Sequence, residues 1–491
     1  MKQICLLFFL IIPFVSEAAV YNVLDFGAKC DSAFDNRIAF QAAIDKAYEN
    51  GGGTVIIPSG RYMLSGIDIK SNITLELQAG VYLLASKDLG AYVAHPGINT
   101  LGNKVVRKFM ISVFNAVNVT ICGKGIIDGQ GKYYWLPDQI PPAWIKAKNE
   151  RPNALLEVTN SENVTIRDII LIESPHWTCH ILHCKNVIID GITIDNSLYA
   201  PNADGIDITG SKLVRVSNCN IKTCDDAIVL KTWMNGESCE DITVTNCTME
   251  TLCVALKIGT ESYKDFKRIA FSNCSVKAAS RIFAMYVFDG GTAENIVVDN
   301  ITGTTNAPLV LNRPIHLMLS KRNTESRPGK IRNIFMSNMI FETDGRIMMT
   351  AIEDSYLENI RISNLHLSYP FIENPEETAT NSSQFPTGME HITKAKAAIV
   401  AKNVMDLYID KLTIYWPGKE VPEYWRTPVR IVNGDFDKKF KPDYSNPRQA
   451  EFSVLYGENL VAGKIDLSNV KSSSSEIIPY IVKESSIIIN K

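Results

Sequence analysis

Apolar and polar residues alternate within a short phrase that recurs along the chain. The phrase reads NVTI at 118 and 163, NVII at 186, DITVTNC at 241 and NIRISN at 359. Alternation with a period of two, rich in β-branched residues, is typical of a half-buried β-strand. An Asn often ends the phrase, and Asn tolerates the left-handed backbone of a tight turn. The pattern therefore predicts a short strand that is repeated many times.

The spacing of these phrases predicts how the strands are arranged. Their first strong aliphatic residues are Val119, Val164, Val187, Val214, Ile242, Ile269, Ile296, Ile334 and Ile360. The intervals are 45, 23, 27, 28, 27, 27, 38 and 26, and we interpret 45 as two turns and 38 as one turn with an insertion. Without crossover helices, such strands pair in parallel only by winding into a solenoid with coils about 4.8 Å apart. The predicted fold class is all-β, a right-handed single-stranded parallel β-helix with Val214, Ile242, Ile269 and Ile296 stacked in its core.

One helix is predicted near the N-terminus, where the text DNRIAFQAAIDKAYENGGG covers residues 35–53. Asp35 is the expected N-cap, and the glycines end the helix. We expect an apolar face of Ile38, Ala42, Ile44 and Ala47 to cover the open end of the solenoid core.

Two other stretches set the expected domain boundaries. Residues 370–395 are rich in Pro, Glu and Ser and lack periodicity, which indicates a long loop. Strand-like text resumes at 397–416, and the last residues are less regular. We therefore predict a β-helix domain over 19–415 and a C-terminal cap or extension of the same domain over 416–491.

The first 18 residues have the pattern of a secretion signal. Lys2 precedes the apolar run ICLLFFLIIPFV, and Ser16 and Ala18 supply small residues before a cleavage site. A membrane anchor would need about 20 apolar residues, and this run is shorter. The mature chain is expected to begin at Ala19 and to work in the periplasm or outside the cell, with no membrane span.

Composition argues against some classes of partner, and it does not decide whether the cysteines form disulfides. The formal net charge of −3 gives no reason to expect nucleic acid or an anionic membrane as a partner. Ten cysteines remain once the signal is removed, and disulfides can form in that compartment. Cys219, Cys247 and Cys274 each follow an Asn at a strand end, which predicts buried thiols stacked in the core. HWTCHILHC at 176–184 could suggest zinc, but no CxxC pair supports it.

Three carboxylates interrupt strand-like text. Asp204 lies in PNADGIDITGS (201–211), and Asp225 and Asp226 lie in CDDAIVL (224–230). The 21 residues between 204 and 225 are close to one coil, so the three acids should form one patch on the outside of the helix. Close carboxylates raise one another's pKa, and a protonated acid beside an ionised base is what glycoside hydrolysis requires. Acids at solenoid turns also cap backbone amides, the interpretation we give to Asp207.

These motifs resemble those of glycoside hydrolase family 28, the polygalacturonase family of right-handed parallel β-helices. The opening YNVLDFGAKCDSAFDNRIAF is similar to the start of many pectin-degrading β-helix enzymes. The family's Asn-Thr-Asp-Gly motif appears as Asn202-Ala203-Asp204-Gly205, and its Asp-Asp motif follows Cys224. The resemblance covers roughly residues 20–365 and implies a glycosidase acting on pectic polysaccharide or its oligosaccharides.

Two family motifs are replaced. Gly-His-Gly would fall at Cys253-Val254-Ala255, and the uronate-gripping Arg-Ile-Lys at Ala284-Met285-Tyr286. In this respect the chain looks more like rhamnogalacturonan hydrolases, which implies a rhamnogalacturonan-type substrate rather than plain homogalacturonan. The resemblance also implies single-displacement inversion without a metal or organic cofactor. Asp225 would protonate the leaving oxygen while Asp204 and Asp226, ionised, position and deprotonate a water on the opposite face. Inversion of this kind requires the acid and base carboxylates to be about 6.5–9.5 Å apart.

Several polar and aromatic residues near these coils are candidate substrate contacts, and each also has an ordinary structural interpretation. The candidates are Asn202, Lys231, Lys257, Glu261, His176 and Trp177, with Arg313, Arg322 and Arg327 in reach of an acidic polymer. Two rival functions stay open: a Ca²⁺-dependent pectate lyase, and a non-catalytic carbohydrate-binding β-helix. The linkage cut, endo or exo action and oligomeric state are left open.

Overall fold

The computed structural model describes residues 19–136, 146–306, 312–369, 397–416, 452–468, 470–472 and 477–490. The predicted signal (1–18) and the predicted loop (370–395) lie outside these residues. Among the described residues, no helix is long and apolar enough to cross a membrane.

The described strands wind into a parallel β-helix with three faces, which we call sheets 1, 2 and 3. Sheet 1 contains Val20–Asn22, Gly53–Ile57, Ile73–Leu77, Val117–Gly123, Glu162–Arg167, Lys185–Asp190, Lys212–Ser217, Cys239–Thr245, Phe266–Ala279, Thr292–Thr305, Lys330–Thr343, Leu357–Ser368, Ala397–Trp416, Phe452–Asp466 and Ile488–Asn490. Sheet 2 contains Gly60–Leu64, Val81–Ala85, Ile126–Asp128, Ile170–Ile172, Thr193–Asp195, Asn220–Thr223, Thr248–Thr251 and Lys471–Ser472. Sheet 3 contains Ile67–Ile69, Phe109–Phe114, Ala154–Thr159, Trp177–Leu182, Ile206–Thr209, Ile228–Thr232, Val254–Ser262, Arg281–Val287, Arg313–Leu319, Ile347–Ala351 and Ile477–Lys483.

The remaining elements are short and lie outside these three faces. They are the helix Arg37–Glu49, the 3₁₀ turns Val23–Phe26, Leu89–Ala91 and Gly131–Tyr134, and an antiparallel hairpin of His95–Ile98 and Lys104–Arg107. From Phe266 onward, strands of 12 to 20 residues turn a corner and contribute to two sheets. The connections between parallel strands are right-handed, as nearly all such connections are.

The predicted ladder of aliphatic residues is confirmed in sheet 1. Val214, Ile242, Ile269 and Ile296 are paired on successive strands, and each is at most 2% exposed. The interval of 38 is one turn with an insertion, since Ile296 pairs directly with Ile334.

The interpretation of the 45-residue interval as two turns is wrong. Val119 pairs directly with Val164, so a single turn contains all of these residues. The extra length lies between the strands Ile126–Asp128 and Ala154–Thr159. Hydrophobic periodicity does not reveal an insertion that lies between two sheets, because the strands on either side of it keep their pairing.

Asparagines at the strand turns form hydrogen-bonded ladders on the outside. Asn118, Asn163 and Asn186 have φ values of 57°, 57° and 55°. The side-chain amide of Asn163 donates to Asn118 at 3.1 Å, and that of Asn186 donates to Asn163 at 2.8 Å. The Asn predicted at the end of the phrase is also left-handed, with φ values of 58°, 55° and 53° at Asn218, Asn246 and Asn273. The Asn that begins the phrase links neighbouring coils.

The helix covers the end of the core, with a different face from the one expected. It begins at Arg37 with Asn36 as N-cap, while Asp35 lies one residue earlier and accepts a hydrogen bond from the Arg37 amide at 3.1 Å. Ile38 is 74% exposed and Ala42 is also exposed. The buried face is Ala39, Phe40, Ala43, Ile44 and Ala47, because the stripe that meets the core is centred on Phe40 and Ile44.

The thiols behave as predicted for stacked core residues. Cys219, Cys247 and Cys274 are each at most 3% exposed, and all ten described cysteines are free. In the 176–184 segment, Cys179 packs in the core whereas His180 lies on the outer side, so these side chains do not converge on a metal.

Candidate active site

Asp204 and Asp226 lie at the same position on adjacent coils, at the entry to sheet 3. The amide of Gly205 donates to the Asp226 carbonyl at 2.8 Å, and the amide of Thr178 donates to the Asp204 carbonyl at 2.9 Å. Trp177, Asp204 and Asp226 therefore stack at the spacing of parallel strands, about 4.8 Å per coil. The winding predicted from the sequence brings the acids together.

Lys231 is held by two of the carboxylates. Its Nζ lies 2.9 Å from Asp204 Oδ2 and 2.5 Å from Asp207 Oδ1, and all three side chains are at most 6% exposed. The Trp177 ring covers the ammonium at 4.1 Å. Asp207 thus binds a lysine, and its interpretation as a backbone cap is wrong. Lys231 is an ion-pair partner rather than an open contact for substrate.

Asp226 has one satisfied oxygen and one that is free. Its Oδ2 lies 2.6 Å from Lys257 Nζ, and the side chain is 3% exposed. Its Oδ1 is buried and has no hydrogen-bond partner among the residues that the structure describes. Buried carboxylate oxygens are normally hydrogen-bonded, so an orphan here indicates a place for a water or ligand group.

Asp225 is partly exposed and lies beside Asp226 and Cys253. Its Oδ1 accepts a hydrogen bond from the Asp226 amide at 3.0 Å. Burial, and next the charge of Asp226, raise the pKa of Asp225 to about 6. One carboxylate oxygen of each acid and the Cys253 sulfur lie within 4.8 Å of one another. The expected 6.5–9.5 Å separation is therefore not found between Asp225 and Asp226, because the two are consecutive residues at one turn.

Asp204 differs from the expectation of an ionised group. Burial, with Asp207 as the next cause, raises the pKa of Asp204 well above its ordinary value, although Lys231 opposes this. Burial raises the pKa of Asp207 as well. A single ammonium faces two buried carboxyls, so the set of Asp204, Asp207 and Lys231 favours retention of one proton.

The remaining predicted contacts surround this cluster. His176 is half-buried, and burial lowers its pKa well below the ordinary value, so the ring is neutral. Asn202 is exposed, with φ 55°, and accepts a hydrogen bond from Arg151 at 2.9 Å. The carboxylate of Glu261 lies 3.8 Å from the guanidinium of Arg322. Its negative charge, after those of Asp204 and Asp207, also helps to raise the pKa of Lys231.

The three arginines proposed to reach a polymer have different surroundings. Arg313 is 1% exposed in sheet 3, so its prediction is wrong: a guanidinium buried in a strand cannot extend outward. Arg322 forms two hydrogen bonds to Asp289, at 2.7 and 2.8 Å. Arg327 is exposed.

Two features of the site were not found from sequence. Arg151, in the long insertion, also binds the carbonyls of Pro175 and Pro201, and no repeat pattern marks it. A buried row of ionisable side chains extends from Asp207 across neighbouring coils to His180, Glu157 and Arg107. Strand alternation around Asp207 could have placed that row on the outer face.

Family models and known proteins that match this chain are pectin-degrading enzymes and their relatives. The model for "Glycosyl hydrolases family 28" matches residues 53–381, and that for "Rhamnogalacturonase A/epimerase, pectate lyase-like" matches 20–77. A "Probable polygalacturonase" of Vitis vinifera is 30% identical over 43% of this chain and 44% of its own length. A "Polygalacturonase" of Nicotiana tabacum is 22% identical over 74% of this chain and 88% of its own. The chain spans less than half the length of the first curated relatives.

Solved structures share the architecture. An exopolygalacturonase from Thermotoga maritima matches with a TM-score of 0.65 and 20% identity, over 81% of this chain and 91% of its own. A family 28 exopolygalacturonase from Yersinia enterocolitica gives 0.65 and 19%, over 83% and 77%. At these identities the likeness concerns the fold alone.

Proposed function

The chain belongs to glycosyl hydrolases family 28, and from this premise we propose that it cleaves glycosidic bonds of pectic polysaccharide by inversion, using Asp225 and Asp226. The observation that carries this proposal is a pair of neighbouring carboxyls in different states. Asp225 has its pKa raised to about 6, while Asp226 is paired with a lysine and keeps one buried oxygen free. An acid and a base placed side by side are what hydrolysis of a glycosidic bond requires.

Asp225 is the proposed general acid. It is more exposed than Asp204 or Asp226, so a leaving-group oxygen can approach it. A pKa of about 6 leaves the carboxyl protonated in mildly acidic solution and able to donate. Its neighbour Asp226 is the second cause of that pKa, so the two residues act together.

Asp226 is the proposed base, acting through a water at its free Oδ1. The carboxylate lies below the surface, so a small molecule can reach Oδ1 more easily than a sugar carbon can. This favours activation of a water over a covalent sugar intermediate, even though Asp225 lies closer than inverting enzymes usually require. Lys257, whose pKa is raised mainly by Asp226, stays charged and orients the carboxylate.

Asp204 is proposed to position the water, with Lys231 and Asp207 holding it in place. The ion pairs at 2.9 and 2.5 Å fix the Asp204 side chain on the coil next to Asp226. Trp177 covers Lys231 on one side and can present the rest of its edge to a sugar. Asn202 and His176 stay proposed substrate contacts, since each directly follows or precedes a residue of this stack or its turn and is partly or fully exposed.

The product's configuration tests the inverting mechanism. Proton NMR during the first turnovers should show a new reducing end of anomeric configuration opposite to the cleaved bond. A product that first appears with retained configuration would show that Asp226 attacks the sugar directly.

A rhamnogalacturonan-type backbone is the proposed substrate within the pectic class. The support for this proposal is that Ala284, Met285 and Tyr286 stand where the family has its uronate-gripping residues, and that Val254, Ala284, Tyr286 and Met318 form a buried apolar cluster at this place rather than a charged one. Turnover of rhamnogalacturonan oligosaccharides should exceed that of polygalacturonate of matched length. Equal or faster turnover of polygalacturonate would contradict this preference.

Secretion is proposed from the N-terminal pattern of Lys2 followed by an apolar run. Expression with the first 18 residues should yield an extracytoplasmic protein whose N-terminus is Ala19. A cytoplasmic protein that keeps Met1 would contradict this.

A further inference from the structure

A thiol and two carboxyls meet at the acid cluster. One oxygen of Asp225, one oxygen of Asp226 and the sulfur of Cys253 lie within 4.8 Å of one another. Cys253 stands where the family has its Gly-His-Gly motif, so the resemblance does not account for a thiol here. In a tetrahedral zinc site, sulfur and oxygen ligands lie about 3.4–3.6 Å apart, and shifts of about 1 Å would bring these three atoms around one ion.

Hydrogen bonds fix the two turns that carry these atoms. The buried Thr251 hydroxyl accepts a hydrogen bond from the Cys253 amide at 2.9 Å and donates to the Asp225 carbonyl. The Cys253 carbonyl accepts hydrogen bonds from the amides of Ser280 and Arg281 at 3.0 and 3.1 Å. The thiol is therefore attached to the acid turn on one side and to the following coil on the other.

Asp226 supplies a second, independent sign of a ligand at this place. Its side chain is 3% exposed, and Lys257 engages Oδ2 at 2.6 Å. The buried Oδ1 has no hydrogen-bond partner in the described part of the chain. Buried carboxylate oxygens are normally satisfied, so Oδ1 can accept a cation in place of the water proposed above.

Charge and ligand chemistry select the class of cation. Two carboxylates and a thiolate are more negative than the single ammonium of Lys257 can balance, so the site attracts a divalent ion. Thiolate is a soft ligand that selects Zn²⁺ and similar ions, whereas Ca²⁺ and Mg²⁺ prefer shells made of oxygen ligands. Asp225 and Cys253 are both partly exposed, which gives an ion a path from solvent.

From these contacts we infer that Asp225, Asp226 and Cys253 form an inhibitory site for a thiol-binding divalent cation of the Zn²⁺ type. The three side chains leave a fourth position for water. The thiol proton passes to solvent on binding, because the thiolate is the ligand. A bound ion occupies both carboxylates that the proposed function uses as acid and base, so hydrolysis stops. The inhibition rests on the proposed function, whereas the binding does not.

The binding test uses Cd²⁺, which takes the same soft ligands and gives an ultraviolet charge-transfer absorption with thiolate. Cys253→Ser should lose this absorption and bind Cd²⁺ at least about 100-fold more weakly by calorimetry, since even a change behind a metal ligand costs about 10- to 100-fold. The matched control is Cys30→Ser, which removes an exposed thiol and should keep both signals. Ca²⁺ should give no heat in this range.

Two results of the binding test would overturn the site. The first is absorption that persists in Cys253→Ser and vanishes in Cys30→Ser, because Cd²⁺ would then bind the exposed thiol. The second is the absence of absorption in Cys30→Ser, which decides the matter even if Cys253→Ser does not fold.

Inhibition is measured as the Zn²⁺ concentration that halves hydrolysis, with each variant compared with its own metal-free rate. Wild type and Cys30→Ser should be inhibited alike and recover with a chelator, while Cys253→Ser should need at least about 100-fold more Zn²⁺. Equal inhibition of wild type and Cys253→Ser, or full activity with the site filled, would overturn the inference. A chain that binds Cd²⁺ through Cys253 yet hydrolyses no pectic oligosaccharide without metal would remove the proposed function and keep the cation site.

Discussion

Replacing Asp225 with Asn should separate its catalytic role from its cost to stability. The carboxyl has a pKa of about 6 in the folded chain against an ordinary 3.8, a difference of about 2.2. At about 1.36 kcal/mol per pKa unit this is about 3 kcal/mol, which partial exposure reduces to about 1–3 kcal/mol. At pH values between the ordinary pKa of 3.8 and the folded pKa of about 6, the folded chain binds more protons than the unfolded chain. The Asp225 carboxyl therefore lowers the free energy of unfolding progressively as pH rises from about 4 to above 6.

Asn cannot ionise, so Asp225→Asn should gain that stability relative to wild type at pH 8 and little of it at pH 4. Urea unfolding at both values measures the difference. The same substitution should lower turnover of a pectic oligosaccharide by about 10²–10⁴-fold, the usual contribution of a general acid. The loss should shrink on an activated aryl glycoside, whose leaving group needs no proton. Asp226→Asn should show no such relief. Undiminished turnover in Asp225→Asn, or no pH-dependent gain in stability, would refute the reasoning.

Three further predictions concern charge and thiols. Lys231→Met leaves buried carboxyls without a cation and should lower the free energy of unfolding by about 3–5 kcal/mol at pH 8. Lys222→Met, which removes an exposed ion pair, should cost less than about 1 kcal/mol by urea titration, and equal costs would contradict the ion-pair assignment. In wild type, kcat/KM should fall above about pH 6 as Asp225 loses its proton, and a profile flat to pH 8 would contradict its role. A thiol reagent should label Cys30 rapidly and the partly exposed Cys253 slowly in the native protein, since burial raises the pKa of Cys253 well above its ordinary value; rapid labelling of several more would contradict the buried stack.

The fold could be predicted from the sequence because each coil needs an aliphatic residue at the same position of the core. Val214, Ile242 and Ile269 must each fill the same slot of a stacked core, so their spacing is visible without any structure. The insertion before Val164 was misjudged because residues outside the strands do not enter the period. The face of the N-terminal helix was misplaced because Ile38 is apolar yet exposed.

The site was predictable only in part. One coil of separation was enough to place Asp204 beside the pair at 225 and 226. Sequence does not indicate how deeply an outer-face residue is covered, so Lys231 was expected to meet substrate when it is held by Asp204 and Asp207.

The most direct test of the central claim is to follow the products of a pectic oligosaccharide with and without a metal chelator. Hydrolysis by Asp225 and Asp226 predicts new saturated reducing ends at the same rate in both conditions, and their loss in Asp226→Asn. Unsaturated uronate products that vanish with the chelator, or full activity in Asp226→Asn, would contradict it.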